Sequence, residues 1–418
     1  MAKFQYEGVI DDISKIQFNC IEEVLENKGF TNCKVIIEQV GEAGDNYVAN
    51  IKRIITTGVD GKPFKMIAKV APTNEQARKF LNAHNLFLNE VIMYTEVLPE
   101  FRQLQVAAEV PEAEILQYAE CYGCISEPPN EFILLEDLKV SNYTMLDRFE
   151  YLSEDCLKLL LKNLAIMHSL SYVLKTKKPE KFSDLTSKFF NLWANIGKID
   201  ENVAFLGVLE EQAVNLVNDD DRRTEVVKRA GMGQISKMVD KISKADLGLK
   251  HTVILQGDLW INNIMFRFDG EKLKNLTMID YQVSRESSPV FDLLYLLYNC
   301  TDSKMRLKHF NDWVDYYHTE LDKSLSNYGL KAISFLTRDK LDADLKRYGK
   351  LVFSICILVS FILSMKNKDA AKMKENMNIS EGDDTNAKPI TQQDHDTQQL
   401  FKLRVEGMVD TLLELGFV

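Results

Sequence analysis

The chain has 418 residues, of which 45% are hydrophobic and 27% charged, and its formal net charge is −11. This length exceeds what one simple core needs and predicts a soluble protein with two lobes or domains. The acidic balance and the scattered basic residues argue against a nucleic-acid partner, because such binders usually carry a basic stripe.

The N-terminal segment "MAKFQYEGVIDDISK" lacks the apolar core and cleavage pattern of a secretory signal. The chain up to residue 138 then has the alternation of a small antiparallel β-rich lobe, with "DG" at 60–61 as one of its turns. Its strands are predicted at residues 34–41, 46–58, 63–72, 118–126 and 131–138. Between the third and fourth strands, residues 74–103 predict one long helix.

The chain after residue 138 predicts a large helical lobe. Acidic residues in the first turn support a helix at 153–174, and helix formers dominate 183–250. A β-hairpin at 253–282 interrupts the helices, which return from Pro289. The run "NDDDRR" at 218–223 predicts a solvated loop. Residues 351–365 predict a buried helix, with a membrane segment as the alternative. A flexible loop is predicted at 366–398, followed by a final amphipathic helix.

The predicted fold class is therefore α+β, with a small antiparallel β-sheet lobe and a larger helical lobe. We place the boundary between residues 1–137 and 138–418, with a ligand in the cleft between the lobes. No membrane span is expected.

Seven scattered cysteines in a chain without a signal indicate a reducing, cytoplasmic location. Cys121 and Cys124 form one C-x-x-C, but no second ligand pair at matching spacing accompanies it. We interpret both as strand residues and not as zinc ligands.

The stretch "LQGDLWINNIMF", 255–266, places Asp258 and Asn263 in an apolar context, and "LTMIDYQ" adds Asp280 across the hairpin. An aspartate can accept a hydroxyl proton, whereas an asparagine carbonyl and a second carboxylate are hard oxygen ligands for Mg²⁺. Phosphoryl transfer needs an oriented nucleophile, a metal over the phosphates and a cation. We therefore predict Asp258 as the catalytic residue and Asn263 and Asp280 as metal ligands.

The cation is predicted in the first lobe. Lys69 lies inside the apolar strand "KMIAKVAP", where a lysine needs a partner, and Glu90 on the following helix supplies one. The pair would hold Lys69 against the α- and β-phosphates of a nucleotide, so we predict Lys69 and Glu90 as catalytic residues together with Asp258.

Two weaker signals complete the predicted nucleotide site. The turn "GEAGDNY" contains Gly41 and Gly44, which allow close approach of the backbone to phosphate. The segment "ILLEDL", with Glu136 and Leu138, would form a hinge whose backbone groups face an adenine edge.

This ordered set resembles the protein-kinase-like fold. Within it, "GDLWINNIMF", "IDYQ", "NEVIMYTEVLP", "LLEDL" and "LRVEGMVDTLLELGF" resemble the ecdysteroid-kinase-like family of the choline-kinase-like and aminoglycoside-phosphotransferase group, over roughly residues 30–415. The resemblance implies ATP- and Mg²⁺-dependent phosphorylation of a small-molecule hydroxyl, typically on a steroid alcohol. It implies Asp258 as base, Asn263 and Asp280 as metal ligands, and Lys69 as the phosphate-binding lysine.

The chain differs from protein kinases around its catalytic loop, and it also departs from the ecdysteroid-kinase-like pattern at one residue. Protein kinases have a lysine two residues after the catalytic aspartate, where this chain has Trp260, and only eight residues separate Asp280 from Pro289. The family loop usually begins His-Gly-Asp, whereas this chain has Gln256. A glutamine both donates and accepts hydrogen bonds, so we expect the loop to keep its support.

Other assignments stay open. An amino-alcohol kinase, a kinase for foreign alcohols and a nucleotide-binding pseudokinase scaffold are the alternatives. His168 and Asp292 are predicted to be structural, with Asp292 fixing the segment after Asp280 through backbone or Arg285.

Overall fold

A computed structural model describes residues 4–41, 49–58, 61–80, 82–246, 248–370 and 394–418. A six-stranded sheet forms the N-terminal part, with strand order β1-β2-β3-β4-β6-β5. These strands are β1 (Phe4–Gly8), β2 (Cys33–Gln39), β3 (Asn50–Thr57), β4 (Pro63–Val70), β5 (Cys121–Ile125) and β6 (Phe132–Glu136). The predicted meander and the two later strands are confirmed, and the C-x-x-C lies in β5 with free thiols.

The first strand and first helix were not predicted. β1 pairs parallel to β2, and the crossover between them is helix α1 (Lys15–Asn27), which begins at a capping box made by Ser14 and Gln17. The apolar side of α1 packs on one face of the sheet and forms a small core. This face of the sheet is thereby shielded from water.

The long helix predicted over 74–103 is wrong in its continuity. The structure has α2 (Glu75–Phe80), α3 (Ala83–Ile92), a π-helical turn (Met93–Val97) and α4 (Leu98–Ala107). Asn82 has φ of 53°, a left-handed conformation that breaks the helix and that asparagine tolerates better than most residues. The break leaves α3 free to follow its own direction, which brings Glu90 to the sheet.

The remaining chain is mostly helical, as predicted. Its helices are α5 (Glu154–Lys177), α6 (Pro179–Ser187), α7 (Leu192–Asn195), α8 (Asp200–Leu216), α9 (Asp221–Ala230), α10 (Ile235–Asp246), α11 (Val290–Cys300), α12 (Ser303–Ser326), α13 (Arg338–Ser364) and α14 (His395–Glu414). Two loop predictions need correction. Asp220 caps α9 by accepting from the backbone N–H groups of Arg222 and Arg223, so the run at 218–223 opens a helix. Helix α14 begins inside the predicted loop 366–398, of which residues 371–393 lie outside the described residues.

The predicted hairpin is formed by β9 (Ile264–Asp269) and β10 (Lys272–Met278), and β9 also pairs with β7 (Tyr143–Thr144). Two short strands, β8 (Val253–Ile254) and β11 (Glu286–Ser287), pair next to it. These pairs hold the start and the end of the stretch that carries Asp258 and Asp280.

Helices α5 and α13 are each long and apolar enough to cross a membrane. The most apolar 18-residue windows of these helices are 83% and 78% buried inside the protein, however, as in core helices. The segment 351–365 is accordingly the buried helix that was predicted. Together with α11, these helices build the main core of the protein.

The predicted α+β class, with a small sheet and a larger helical part, is thus confirmed. The division at residues 137 and 138 stays a prediction.

Candidate active site

Asp258 lies in the loop between β8 and β9, and both of its carboxylate oxygens accept hydrogen bonds. Oδ1 accepts from the Tyr295 hydroxyl at 2.5 Å. Oδ2 accepts from Asn263 Nδ2 at 3.0 Å and from Trp260 Nε1 at 3.3 Å. Asn263 also donates to the Asp258 carbonyl at 2.8 Å, so the predicted D-x-x-x-x-N pair is in direct contact.

The environment of Asp258 changes its acidity. Burial of the carboxylate, followed by the nearby charge of Asp280, raises its pKa to about 6. The hydrogen bonds from Tyr295, Trp260 and Asn263 oppose this rise because they stabilise the ionised form. A carboxylate with a pKa near neutrality is well matched to accepting a proton from a hydroxyl at physiological pH.

Lys69 on β4 joins residues that are far apart in sequence. Its Nζ lies 2.5 Å from Glu90 Oε2 on α3 and 3.0 Å from Asp280 Oδ1, which follows β10. Lys69 and Glu90 are buried, and Asp280 is half-buried. Asp280 has φ of 59°, a left-handed conformation that is strained for an aspartate and is often found at functional sites.

The charge state of the Lys69–Glu90 pair follows from its surroundings. Burial would lower the pKa of Lys69, but Asp280 and Glu90 reverse this and hold it above its usual value. Burial also raises the pKa of Glu90, which by itself would favour a neutral acid, whereas Lys69 opposes the rise. The short contact and the second carboxylate beside Lys69 favour the charged pair, so Lys69 is a cation at neutral pH.

Gln256 connects the two chemistry-bearing segments. This fully buried side chain donates from Nε2 to the carbonyls of Ile279 at 2.9 Å and Asp280 at 3.0 Å. Its Oε1 accepts from the Asp258 backbone N–H at 2.8 Å. The glutamine thus supports both segments, as expected for the residue in the usual histidine position.

Behind the loop, Asp292 on α11 accepts from the backbone N–H groups of Gln256 at 2.8 Å and Gly257 at 2.9 Å. Its structural role through backbone agrees with the prediction, but it holds the loop before Asp258 and not the segment after Asp280. Arg285 forms no ion pair with it among the described residues and stacks instead over the Phe291 ring, at 4.0 Å.

His168 is also structural in its contacts. It is fully buried, with Nε2 3.2 Å from Asp292 Oδ2 and Nδ1 2.8 Å from the Tyr317 hydroxyl.

The residue before Asp258 must be a glycine. Gly257 has φ of 90°, and a Cβ there would lie 2.4 Å from the Val283 carbonyl oxygen. Only glycine therefore fits before Asp258.

Two site residues were missed from the sequence. Tyr295 lies in the apolar helix α11 and belongs to no sequence motif, although its hydroxyl donates directly to Asp258. Asn89, beside Glu90, is fully buried and donates to the carbonyls of Phe190 and Gln282, both at 2.9 Å. A polar residue on the buried side of a helix was the only available signal for Asn89.

The remaining predicted nucleotide residues are less informative. Gly41 follows β2 with φ of 86°, and Gly44 lies outside the described residues. Glu136 ends β6, and its backbone N–H already donates to the Glu120 carbonyl at 2.8 Å. Leu138 is buried at the start of a 3₁₀ turn. Nucleotide binding by these four residues stays a prediction.

The donor set is compatible with Mg²⁺. The Asn263 amide nitrogen is used on Asp258, which leaves its carbonyl oxygen for a cation, and Asp280 adds a carboxylate. Within the described ranges, no group of three or more His, Cys, Asp or Glu side chains could hold a metal ion. An ion here would therefore rely on few protein oxygens plus phosphate and water, as Mg²⁺ commonly does.

Comparison with known proteins gives one family and several distant structures. The model of the ecdysteroid kinase-like family matches residues 43–330. No curated protein matches the chain.

Among solved structures, a point mutant of aminoglycoside 2′-phosphotransferase-IIIa in its GDP complex has 13% identity and a TM-score of 0.40, over 82% of this chain and 90% of that one. A GDP and kanamycin complex of a similar phosphotransferase has 12% identity and a TM-score of 0.39, over 82% of this chain and 92% of that one. Such low values assign neither nucleotide nor substrate to this chain.

Proposed function

Because the chain belongs to the ecdysteroid kinase-like family, and is thus a phosphotransferase acting on a hydroxyl of a small molecule, we propose that it transfers phosphate from ATP to a steroid alcohol of the ecdysteroid type. The reaction would depend on Mg²⁺. The family description supports the steroid acceptor, and the site geometry supports the chemistry.

The observation that carries the proposal is the convergence of distant residues. Lys69 and Asp280 are 211 positions apart in the chain, yet the atoms of their side chains lie 3.0 Å apart. The Asn263 side chain donates to Asp258, while the backbone carbonyl of Asn263 accepts from the Ile279 N–H at 2.9 Å, one residue before Asp280. The residues that we propose as cation, metal ligands and base are therefore close together, which supports phosphoryl transfer.

Each residue has a distinct role in this proposal. Asp258 accepts the proton of the acceptor hydroxyl as the hydroxyl oxygen bonds to the terminal phosphorus of ATP, and the bond from that phosphorus to ADP breaks. Lys69, kept protonated and oriented by Glu90, binds phosphate oxygens. Asn263 and Asp280 would hold Mg²⁺, which when bound neutralises charge on the phosphates. The Tyr295 hydroxyl positions Asp258 through Oδ1.

The test is mass spectrometry of a mixed pool of hydroxylated steroids, amino alcohols and foreign alcohols incubated with the enzyme and Mg²⁺-ATP. Asp258→Asn runs beside it, and Asp269→Asn, at the exposed end of β9, is the matched control. We expect an added phosphate on a steroid with wild type and control, and at least about 10²-fold less with Asp258→Asn.

The other outcomes are equally decisive. Phosphate on an amino alcohol or a foreign alcohol alone would keep the kinase and refute the steroid acceptor. No product with any alcohol, together with no stabilisation of the fold by Mg²⁺-ATP, would favour the scaffold.

We also propose residues 1–137 as the nucleotide-binding lobe, residues 138–418 as the catalytic and acceptor lobe, and a cytoplasmic location. Free thiols on all seven cysteines support a reducing compartment. Limited proteolysis with cleavage near residue 138, and imaging of a tagged chain, would test these assignments.

A further inference from the structure

Three buried arginines lie together away from Asp258, around the C-terminal end of α11. Arg148 precedes α5, Arg306 lies on α12 and Arg404 lies on α14, and their exposed fractions are 6%, 2% and 5%. In the part of the chain that the structure describes, none of them is within ion-pair distance of a carboxylate. Buried charges without a partner are costly, so each needs an explanation.

Arg306 is explained by neutral partners. Its Nε donates to Thr411 Oγ1 at 3.1 Å, and its Nη1 donates to the Leu297 carbonyl at 3.2 Å and to the Thr301 carbonyl. These bonds tie α12 to the end of α11 and to α14. Arg306 therefore acts as a structural link that does not require a ligand.

Arg148 and Arg404 are not satisfied in this way. Arg148 donates from Nη2 to Asn367 Oδ1 at 2.7 Å, but its buried Nη1 has no partner among the described residues. Arg404 makes only long bonds of 3.4 Å, to the carbonyls of Asn299 and Arg148, and its buried Nε has none. Burial lowers the pKa of Arg404, and no neighbouring carboxylate offsets this effect.

The position of the pair is close to solvent. The Arg148 guanidinium lies 4.6 Å from the centre of the Phe149 ring, and that of Arg404 lies 5.1 Å from the Tyr151 ring. Both rings are exposed, at 39% and 37%. Each guanidinium group therefore contacts an aromatic ring that is partly exposed to solvent.

We propose that Arg148 and Arg404 form a second binding site, separate from the Asp258 cleft, for the phosphate group of a small ligand. Two guanidinium groups with unused N–H donors match the oxygens of a phosphate, and charge-assisted bonds would satisfy both. The neighbouring cation Arg306 favours a dianion over a singly charged carboxylate. Because Arg404 bonds the Asn299 carbonyl of α11, and Tyr295 of the same helix contacts Asp258, ligand binding here also fixes the far end of the helix that positions the base.

The test uses inorganic phosphate as the probe and thermal unfolding of the full chain as the readout. Wild type should gain about 4 °C in Tm at a roughly 100-fold excess of phosphate over its Kd. Lys69→Met, which removes the cation of the active site, should keep this gain. Arg148→Met and Arg404→Met should each lose it. Acetate at equal ionic strength should give less than half of the gain.

A matched comparison separates ligand binding from a structural role. Without added phosphate, Arg148→Met should unfold at or above the wild-type Tm, because an unpaired buried charge has been removed, whereas Arg306→Met should unfold several degrees lower. The proposal is overturned if phosphate stabilises both arginine variants as well as wild type, if the gain disappears only in Lys69→Met, or if phosphate stabilises nothing. An equal effect of acetate would refute the preference for phosphate.

Discussion

The support that Gln256 gives the catalytic loop leads to a quantitative prediction. Gln256→Leu keeps most of the side-chain volume but removes the three hydrogen bonds that join Asp258 to Ile279 and Asp280. Two buried carbonyls and one N–H would lose these bonds. At about 1 kcal/mol for each, the free energy of unfolding should fall by about 3 kcal/mol.

Catalysis should suffer as well, because Asp258, the proposed proton acceptor, and Asp280, a proposed metal ligand, would no longer be held at a fixed distance from each other. We expect turnover to fall by about 10²-fold, the usual cost of misplacing reacting groups by about an ångström. Gln256→His should be milder, since a neutral imidazole keeps one donor and one acceptor and loses about one bond. Its activity should stay within about tenfold of wild type.

Urea unfolding and steady-state turnover would be measured on both variants, with Gln103→Leu at an exposed position of α4 as control. The control should change the free energy of unfolding by less than about 0.5 kcal/mol. The reasoning is refuted if Gln256→Leu is equally harmless. A thousandfold gain with Gln256→His would instead mean that the natural protein is nearly silent.

Three further predictions concern other parts of the site and the fold. Asp280→Ala should abolish the Mg²⁺-dependent stabilisation by nucleotide in thermal unfolding; undiminished stabilisation would place the metal elsewhere. Tyr295→Phe should lower turnover about tenfold while leaving nucleotide stabilisation unchanged, because it removes one hydrogen bond to the Asp258 carboxylate. Despite burial, the His251 ring, with Nε2 3.1 Å from Oδ2, and a hydrogen bond from Lys340 lower the pKa of Asp344 to about 2. Since this folded-state pKa is below the usual value, the contribution of Asp344 to the free energy of unfolding is full above about pH 4 and is lost as pH falls toward 2. In Asp344→Asn, the free energy of unfolding should therefore depend less on pH between about 4 and 2.

Much of the site was predictable because its signals are local. An aspartate and an asparagine in an apolar loop, an acid after a hairpin strand and a lysine in a buried strand all need partners, and the structure brings these residues together. Their catalytic and metal-binding roles stay predictions. Tyr295 was not predictable, because one hydroxyl in an apolar helix looks like any buried tyrosine until the helix is packed.

The parts of the fold that the sequence analysis missed have similar causes. β1 is five residues long and pairs parallel to β2 across a helix, so its pairing depends on contacts that no short pattern records. The break at Asn82 follows from one positive φ inside a helix-forming stretch. The cap at Asp220 was hidden because a run of acids is typical of both a loop and a helix start.

The hydrogen bond from Asn89 to Gln282 bears on when the enzyme becomes active. In protein kinases the helix that carries the lysine's glutamate partner is repositioned during activation. Here the residue next to Glu90 donates to the Gln282 carbonyl, just beyond Asp280, so a direct hydrogen bond joins that helix to the segment after Asp280. If this bond keeps the site assembled, product should accumulate without a lag from the moment of mixing.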